Sequence, residues 1–335
     1  MIRVWFNHWF STAYRLIELI KDDPEEEIYV IGTNSQIDSV IQKVCDEWYE
    51  EPPLYGDDYI SYCLDFCKEH KIDAFVPRRF MVEISKNKER FEEIGTKVMA
   101  DDFKAIDMLN DKSRAYEHFK NYENIKIPDY FKVNTAKDFA AAYGELRKKH
   151  DRICVKFVRD EGGMSFRKII ENVNEFDRLK VYQGTGISYN DIYSALSTKD
   201  TFDDLMVMPY LEGLEVSVDC LRTDTGTIAI PRIKSPARQE RIVYDHEIIS
   251  MTANVLNKLS LNYPCNVQFR YSGDTLYLLE INTRMSGGLQ MSCLASGVNI
   301  PNIALNKLFG RDIPWNIDDT TDKIVSYIEI PQIIR

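Results

Sequence analysis

Along the first third of the chain, apolar positions alternate between two periods. Ile2–Phe6, Ile28–Ile31 and Ile72–Val76 are short apolar runs closed by Asn7, Gly32 and Pro77, as buried strands are. Between and after them, Ser11–Ile20, Ile37–Trp48, Asp57–His70 and the stretch around Glu83–Ile94 carry apolar residues at helical spacing, and a short strand follows near Lys97–Met99. Such alternation predicts an α/β unit, a parallel sheet with helices on both faces. The later pattern is more mixed. Ser113–Phe119 and Glu247–Leu259 read as helices, and Tyr130–Val133, Arg152–Val158 and Ile228–Ile233 read as strands. Pro301 opens a last helix, Asn302–Phe309, that Gly310 stops, and Lys323–Ile330 alternates as a closing strand. Residues 172–204 follow neither period, which suits an insertion near a substrate site or an irregular surface segment.

One stretch concentrates chemistry. In Pro264–Gly288, Asn266, Gln268 and Arg270 alternate with Val267, Phe269 and Tyr271, and Thr275–Asn282 reads as the return strand of a hairpin. With a three-residue loop, Gly273 to Thr275, Gln268 faces Glu280 directly and Asn282 shares that face. One carboxylate and two amide oxygens suit a hard cation such as Mg²⁺ shared with a nucleotide phosphate. Arg284 lies two residues on, before Ser286-Gly287-Gly288.

Composition narrows the classes. The 335 residues are 44% hydrophobic and 28% charged, enough for two or three packed units. A net charge of −11 argues against a nucleic-acid binder and leaves room for a local nucleotide site. Seven cysteines are scattered without a CxxC pair, and Cys63 and Cys67, one helical turn apart, are expected on a buried face. The opening residues are interrupted by Arg3, Asn7, His8 and Arg15, so neither a signal peptide nor a membrane span is expected, and a cytoplasmic location is. The turn Asn7–Ser11 lacks GxGxxG, which excludes a nicotinamide or flavin site there. Arg78 and Arg79 fall at the carboxyl end of a strand, where open α/β sheets place ligands, and His8 ends the first strand.

NVQF, then LLEINTR, a Gly/Ser stretch and a helix resemble the ATP-grasp superfamily, in the pattern of the carbamoyl phosphate synthetase large subunit and biotin carboxylase. The resemblance implies magnesium ligands Gln268, Glu280 and Asn282 and a catalytic Arg284. Lys112, at a helix start before the Ile127-Pro128 turn, matches a basic residue the family uses on ATP phosphates. Lys156 interrupts an apolar strand and precedes a lid with Gly162 and Gly163, similar to the family's VKP…GGSG segment. Two departures are Phe157 for the usual Pro and Met164-Ser165 for Ser-Gly. Leu205–Glu215 resembles the hinge in which Met208 and Tyr210 present backbone groups to adenine and Glu215 binds ribose. Lys234, Arg238 and Arg241 follow Ile228–Ile233 and could grip an anion or the loop's own solvent.

The resemblance implies a Rossmann-like N-terminal domain over residues 1–105 and a two-lobed α+β ATP-grasp fold, with small lobe 106–205 and large lobe 206–335. It also implies a carboxylate–amine ligase that uses ATP and Mg²⁺, with Mn²⁺ as a substitute, on small-molecule acid and amine substrates. No nucleic-acid or membrane partner is expected, and a homodimer is compatible. The alternatives are carboxyphosphate or carbamoyl phosphate chemistry on bicarbonate, and a nucleotide-binding regulator without turnover.

Overall fold

A computed structural model describes residues 1–160, 163–171, 176, 184–235, 239–317 and 322–334. Gly162 and Arg238 lie outside the described residues. The N-terminal region holds β1 (Ile2–Asn7), β2 (Ile28–Asn34), β3 (Glu47–Glu50), β4 (Ala74–Val76) and β5 (Lys97–Val98), with helices α1 (Ala13–Lys21), α2 (Gly56–Glu69), α3 (Met81–Lys86), α4 (Lys88–Glu93) and α5 (Phe103–Leu109). The strands are parallel in the order β3-β2-β1-β4-β5, the arrangement of doubly wound α/β sheets. Neighbouring order reverses at β1/β4.

Two local expectations are corrected here. Ile37–Trp48 is not one helix but a 3₁₀ turn, Val40–Lys43, followed by the edge strand β3. Asp46 accepts from the Val30 N–H at 2.7 Å and from Lys21 at 2.8 Å, which pulls the chain alongside β2. Trp48 then donates to Ile37 O at 2.8 Å, and with Cys45 it fills the space over Gly32, where a Cβ would sit 2.7 Å from either. The helical stretch near Glu83–Ile94 is broken at Asn87, whose side chain donates to Glu83 O at 2.8 Å.

Next in the chain come α6 (Lys112–Phe119), α7 (Ala136–Arg147) and α8 (Tyr189–Leu196), with β6 (Phe131–Val133), β7 (Ile153–Phe157), β8 (Arg167–Ile170), β9 (Gly186–Ser188) and β10 (Leu205–Pro209). The five strands form one sheet in the order β6-β10-β7-β8-β9, antiparallel except for β8 and β9. The described end of the 172–204 stretch is therefore not irregular throughout. It supplies β9 and α8, and Ile192 joins the core of this sheet with Phe139, Val155 and Val207.

The third sheet contains β11 (Glu215–Thr223), β12 (Gly226–Lys234), β13 (Gln239–Ile242), β14 (Cys265–Ser272), β15 (Thr275–Asn282) and β16 (Lys323–Ser326), ordered β15-β14-β11-β12-β13-β16. It is accompanied by α9 (His246–Leu259), α10 (Leu289–Ser296) and α11 (Ile300–Leu308). The closing strand stops at Ser326; Ile328 and Ile330 are exposed, so the alternation beyond it has no apolar face to meet.

By its contacts the chain divides into two units, Met1–Leu109 with Glu215–Gln268 and Ile281–Arg335, and Asn110–Leu214 with Phe269–Glu280. Within the first, α1 and α11 share an apolar core through Leu16, Ile17, Ile20, Ile300 and Ile303, and Asn302 and Asn306 both donate to Asp23. No helix among the described residues is long and apolar enough to cross a membrane.

Candidate functional site

The second unit buries two lysines against one carboxylate. Asp111 caps α6, accepting from the Arg114 N–H at 3.0 Å and from Ser113 at 2.6 Å, and so fixes Lys112 at the first helical position. Lys112 donates to Asp160 O at 2.7 Å and stands 3.8 Å from Glu280. Lys156, on β7 between Val155 and Phe157, reaches Leu279 O at 3.4 Å and lies 5.6 Å from the Tyr116 ring. Tyr116 donates to the same carbonyl at 2.9 Å. Burial lowers the pKa of both lysines, and Glu280 pulls each back up. Holding two ammonium groups charged out of water is costly; Glu280 and, more weakly, Asp160 offset that cost for both, and an anion entering the site would offset more of it.

The loop that leaves β7 begins at this cluster. Asp160 accepts from the Ser165 N–H at 2.9 Å and from its hydroxyl at 2.7 Å, while Ser165 accepts from the Phe157 N–H at 2.9 Å. Gly163 takes φ of +68°, a conformation side chains resist. Ser165 therefore stands where the family pattern has glycine and clamps the loop's base. Met164, at 79% exposure, projects into solvent.

Met208 is buried on β10 and paired with Cys154, and Tyr210 lies just beyond the strand. The Tyr210 N–H donates to Arg152 O at 2.8 Å. Its ring is what it presents: Lys168 lies 4.3 Å from the centroid, and Arg270 donates to the hydroxyl at 3.2 Å. In the first unit, Glu215 is ion-paired with Lys234, and Arg241 with Asp322.

The hairpin turn is Gly273-Asp274, one residue shorter than the three-residue loop, so the direct Gln268–Glu280 pairing derived from that loop does not apply. Gly273 at φ +57° fits the first position of a two-residue turn. By unit, Glu280 groups with the lysines, and Gln268, Asn282 and Arg284 group with the first unit. All four are half-buried.

Behind Gln268 lies a polar network that the sequence reading missed. Buried Asp219 accepts from Asn266 at 2.7 Å, Ser286 at 2.6 Å, Arg232 at 2.8 Å and Ser292 at 2.6 Å. Asn266 thereby presents its oxygen to the Gln268 amide nitrogen at 3.2 Å, which leaves the Gln268 oxygen as that side chain's acceptor. A signal was available: Asp219 and Arg232 each interrupt an apolar strand, as Lys156 does. Tyr116 gave none, being one aromatic on a helix face. Among the described residues no group of three or more His, Cys, Asp or Glu could hold a metal. Glu280 offers carboxylate oxygens and Gln268 and Asn282 amide oxygens, donor types that fit Mg²⁺.

A family model described as ATP-grasp in the biosynthetic pathway with Ter operon matches residues 201–331. The carbamoyl-phosphate synthase of Methanobrevibacter smithii is 25% identical over 287 residues, covering 78% of this chain and 70% of that protein. The carbamoyl phosphate synthase large chain of Clostridium acetobutylicum is 20% identical over 256 residues, 71% of this chain; the match spans only 22% of that protein. Among solved structures, the biotin carboxylase domain of Hydrogenobacter thermophilus 2-oxoglutarate carboxylase, a dimer with MgADP, ADP and bicarbonate, superposes with TM-score 0.67. Its identity is 20%, over 95% of this chain and 71% of that one.

Proposed function

Starting from an ATP-grasp chain that resembles the carbamoyl phosphate synthases and biotin carboxylases, we propose an ATP-dependent carboxylate–amine ligase that works through an acyl phosphate. The carrying observation is the burial of Lys112 and Lys156 around Glu280. An oxygen of the substrate carboxylate attacks the γ-phosphorus, the bond from that phosphorus to the bridging oxygen breaks, and ADP leaves. The amine then attacks the acyl carbon, phosphate departs, and the surplus amine proton passes to solvent or to the phosphate.

Lys112 and Lys156 hold the phosphoryl oxygens, and the loop through Gly162 and Gly163 excludes water from the acyl phosphate. Adenine packs against the Met208–Tyr210 segment and ribose meets Glu215. Arg284 stabilises the anion formed in each step. Gln268, Glu280 and Asn282 would hold Mg²⁺, with Mn²⁺ as a substitute, which supplies charge neutralisation on the triphosphate when bound. A homodimer belongs to this reading, and light scattering tests it.

The second reading, carboxyphosphate chemistry on bicarbonate, draws on the synthase relatives and the bicarbonate-bound neighbour. ADP release measured against a panel of carboxylic acids and amines separates them. Dependence on an acid and an amine together supports the ligase, dependence on bicarbonate supports the second reading, and release with neither substrate opposes both.

A further inference from the structure

The six-stranded sheet ends in β16, which pairs with β13 through Gln239↔Ser326, Glu240↔Val325, Arg241↔Ile324 and Ile242↔Lys323. Among the described residues no strand pairs with its other edge. Residues 322–328 alternate in exposure. At the inward positions, Lys323 donates to Ala295 O at 2.6 Å, Val325 packs against the core of the first unit, and Tyr327 donates to Gly287 O at 3.3 Å. The outward positions are Ile324, Ser326 and Ile328, the two isoleucines being 71% and 87% exposed. Ile330 and Ile333 follow, so the exposed isoleucines of the described residues all fall within 324–333. An open edge with an apolar face is a template for another strand, and edges that stay single are kept so by charge or proline. Here neither stands between Ile324 and Ile328, and Pro331 comes only after Ile330.

The pattern is complementary to itself. When two copies meet antiparallel with Ser326 opposite Ser326, each Ile324 faces the other copy's Ile328, and four isoleucines surround the axis. The same register sets Lys323 opposite Glu329, an opposite-charge pair made twice. An ammonium has three donors, so Lys323 keeps its bond to Ala295 O. Moving the axis to Val325 or Tyr327 puts Ser326 opposite an isoleucine and parts Lys323 from Glu329. A two-fold axis of this kind closes after two copies, which gives a dimer and not a fibre.

We propose that two copies of this chain dimerise through β16, edge to edge about Ser326. The homodimer named with the ligase reading thereby acquires a surface, and the pairing itself needs neither nucleotide nor turnover. The strip is short against the roughly 1,000 Å² that a stable interface buries, so sedimentation equilibrium of the full chain should give a Kd of about 1–100 μM. Ile328→Lys, at an exposed position, should weaken the dimer about tenfold or more and leave the melting temperature unchanged. Ser326→Cys should oxidise to a disulfide-linked dimer, because directly opposed residues of an antiparallel pair have Cα atoms about 4.5–5.5 Å apart, within disulfide reach. Ile324→Cys should do so only when mixed with Ile328→Cys. The native cysteines are buried or half-buried and give little background. A wild type that is monomeric at about 0.1 mM overturns the proposal, whether or not the strip then binds lipid vesicles or another protein. So does a dimer that Ile328→Lys leaves equally tight, or one that crosslinks through Ile324→Cys alone. An active monomer would leave the ligase reading standing, and a crosslinked dimer that releases no ADP would sink only that reading.

Discussion

Among the described residues no ion pair reaches Lys156, and its burial is a cost to stability of the kind that ligand-binding sites carry. The folded-state pKa is lowered, so the cost is present at neutral pH and fades as pH rises through that value toward the ordinary lysine range. Lys156→Met is therefore expected to raise thermal stability, by about 1 kcal/mol, and to weaken ATP binding by about tenfold or more. Calorimetry with and without nucleotide reads both. Glu280→Ala should keep the fold and abolish ADP release; normal turnover would refute its assigned role. Arg232 behaves oppositely to Lys156, since it bridges buried Asp219 and Glu240. Arg232→Met leaves two carboxylates without a countercharge, and a loss of about 3–5 kcal/mol is expected in denaturant unfolding. Lys156 and Glu280 were legible because a charge stood out inside an apolar run. The partners of Asp219 were not, because Ser286 and Ser292 come from a distant turn and helix whose contacts no local spacing encodes.

Among the elements, the N-terminal strands were legible wherever an apolar run ended at a turn residue. β3 was missed because Ile37, Ile41, Val44 and Trp48 carry helical spacing, while the Asp46 contacts that extend the chain are tertiary. The turn after β15 is fitted around a guanidinium: a Cβ on Gly288 would land against the Arg232 side chain. Gly288→Ala should accordingly cost more than the usual preference of alanine over glycine would return, and lower the melting temperature by several degrees. A variant as stable as the parent would show that Arg232 can move aside.

Across the molecule, one carboxyl ties distant segments of the first unit together. Asp101 accepts from the Asn262 N–H at 2.7 Å and sits where burial pushes its pKa up to about 6. The folded state then holds the proton more tightly than the unfolded state, so this group's contribution falls as pH climbs from the ordinary 3.8 toward about 6. Asp101→Asn should flatten that part of the stability profile, as melting curves between those limits would register. The cysteines add a simpler expectation. Cys67, Cys154 and Cys293 are buried, with burial raising each pKa to about 12, so alkylating reagents should label them only on unfolding.

The second unit is not one continuous stretch of chain: residues 110–214 are completed by residues 269–280. On the ribosome, the segment bearing Lys112 and Lys156 must wait for the strand that brings Glu280 and the Leu279 carbonyl. Until residue 280 emerges, both ammonium groups are without that counterpart, and a nascent chain halted earlier should remain an easy target for proteolysis.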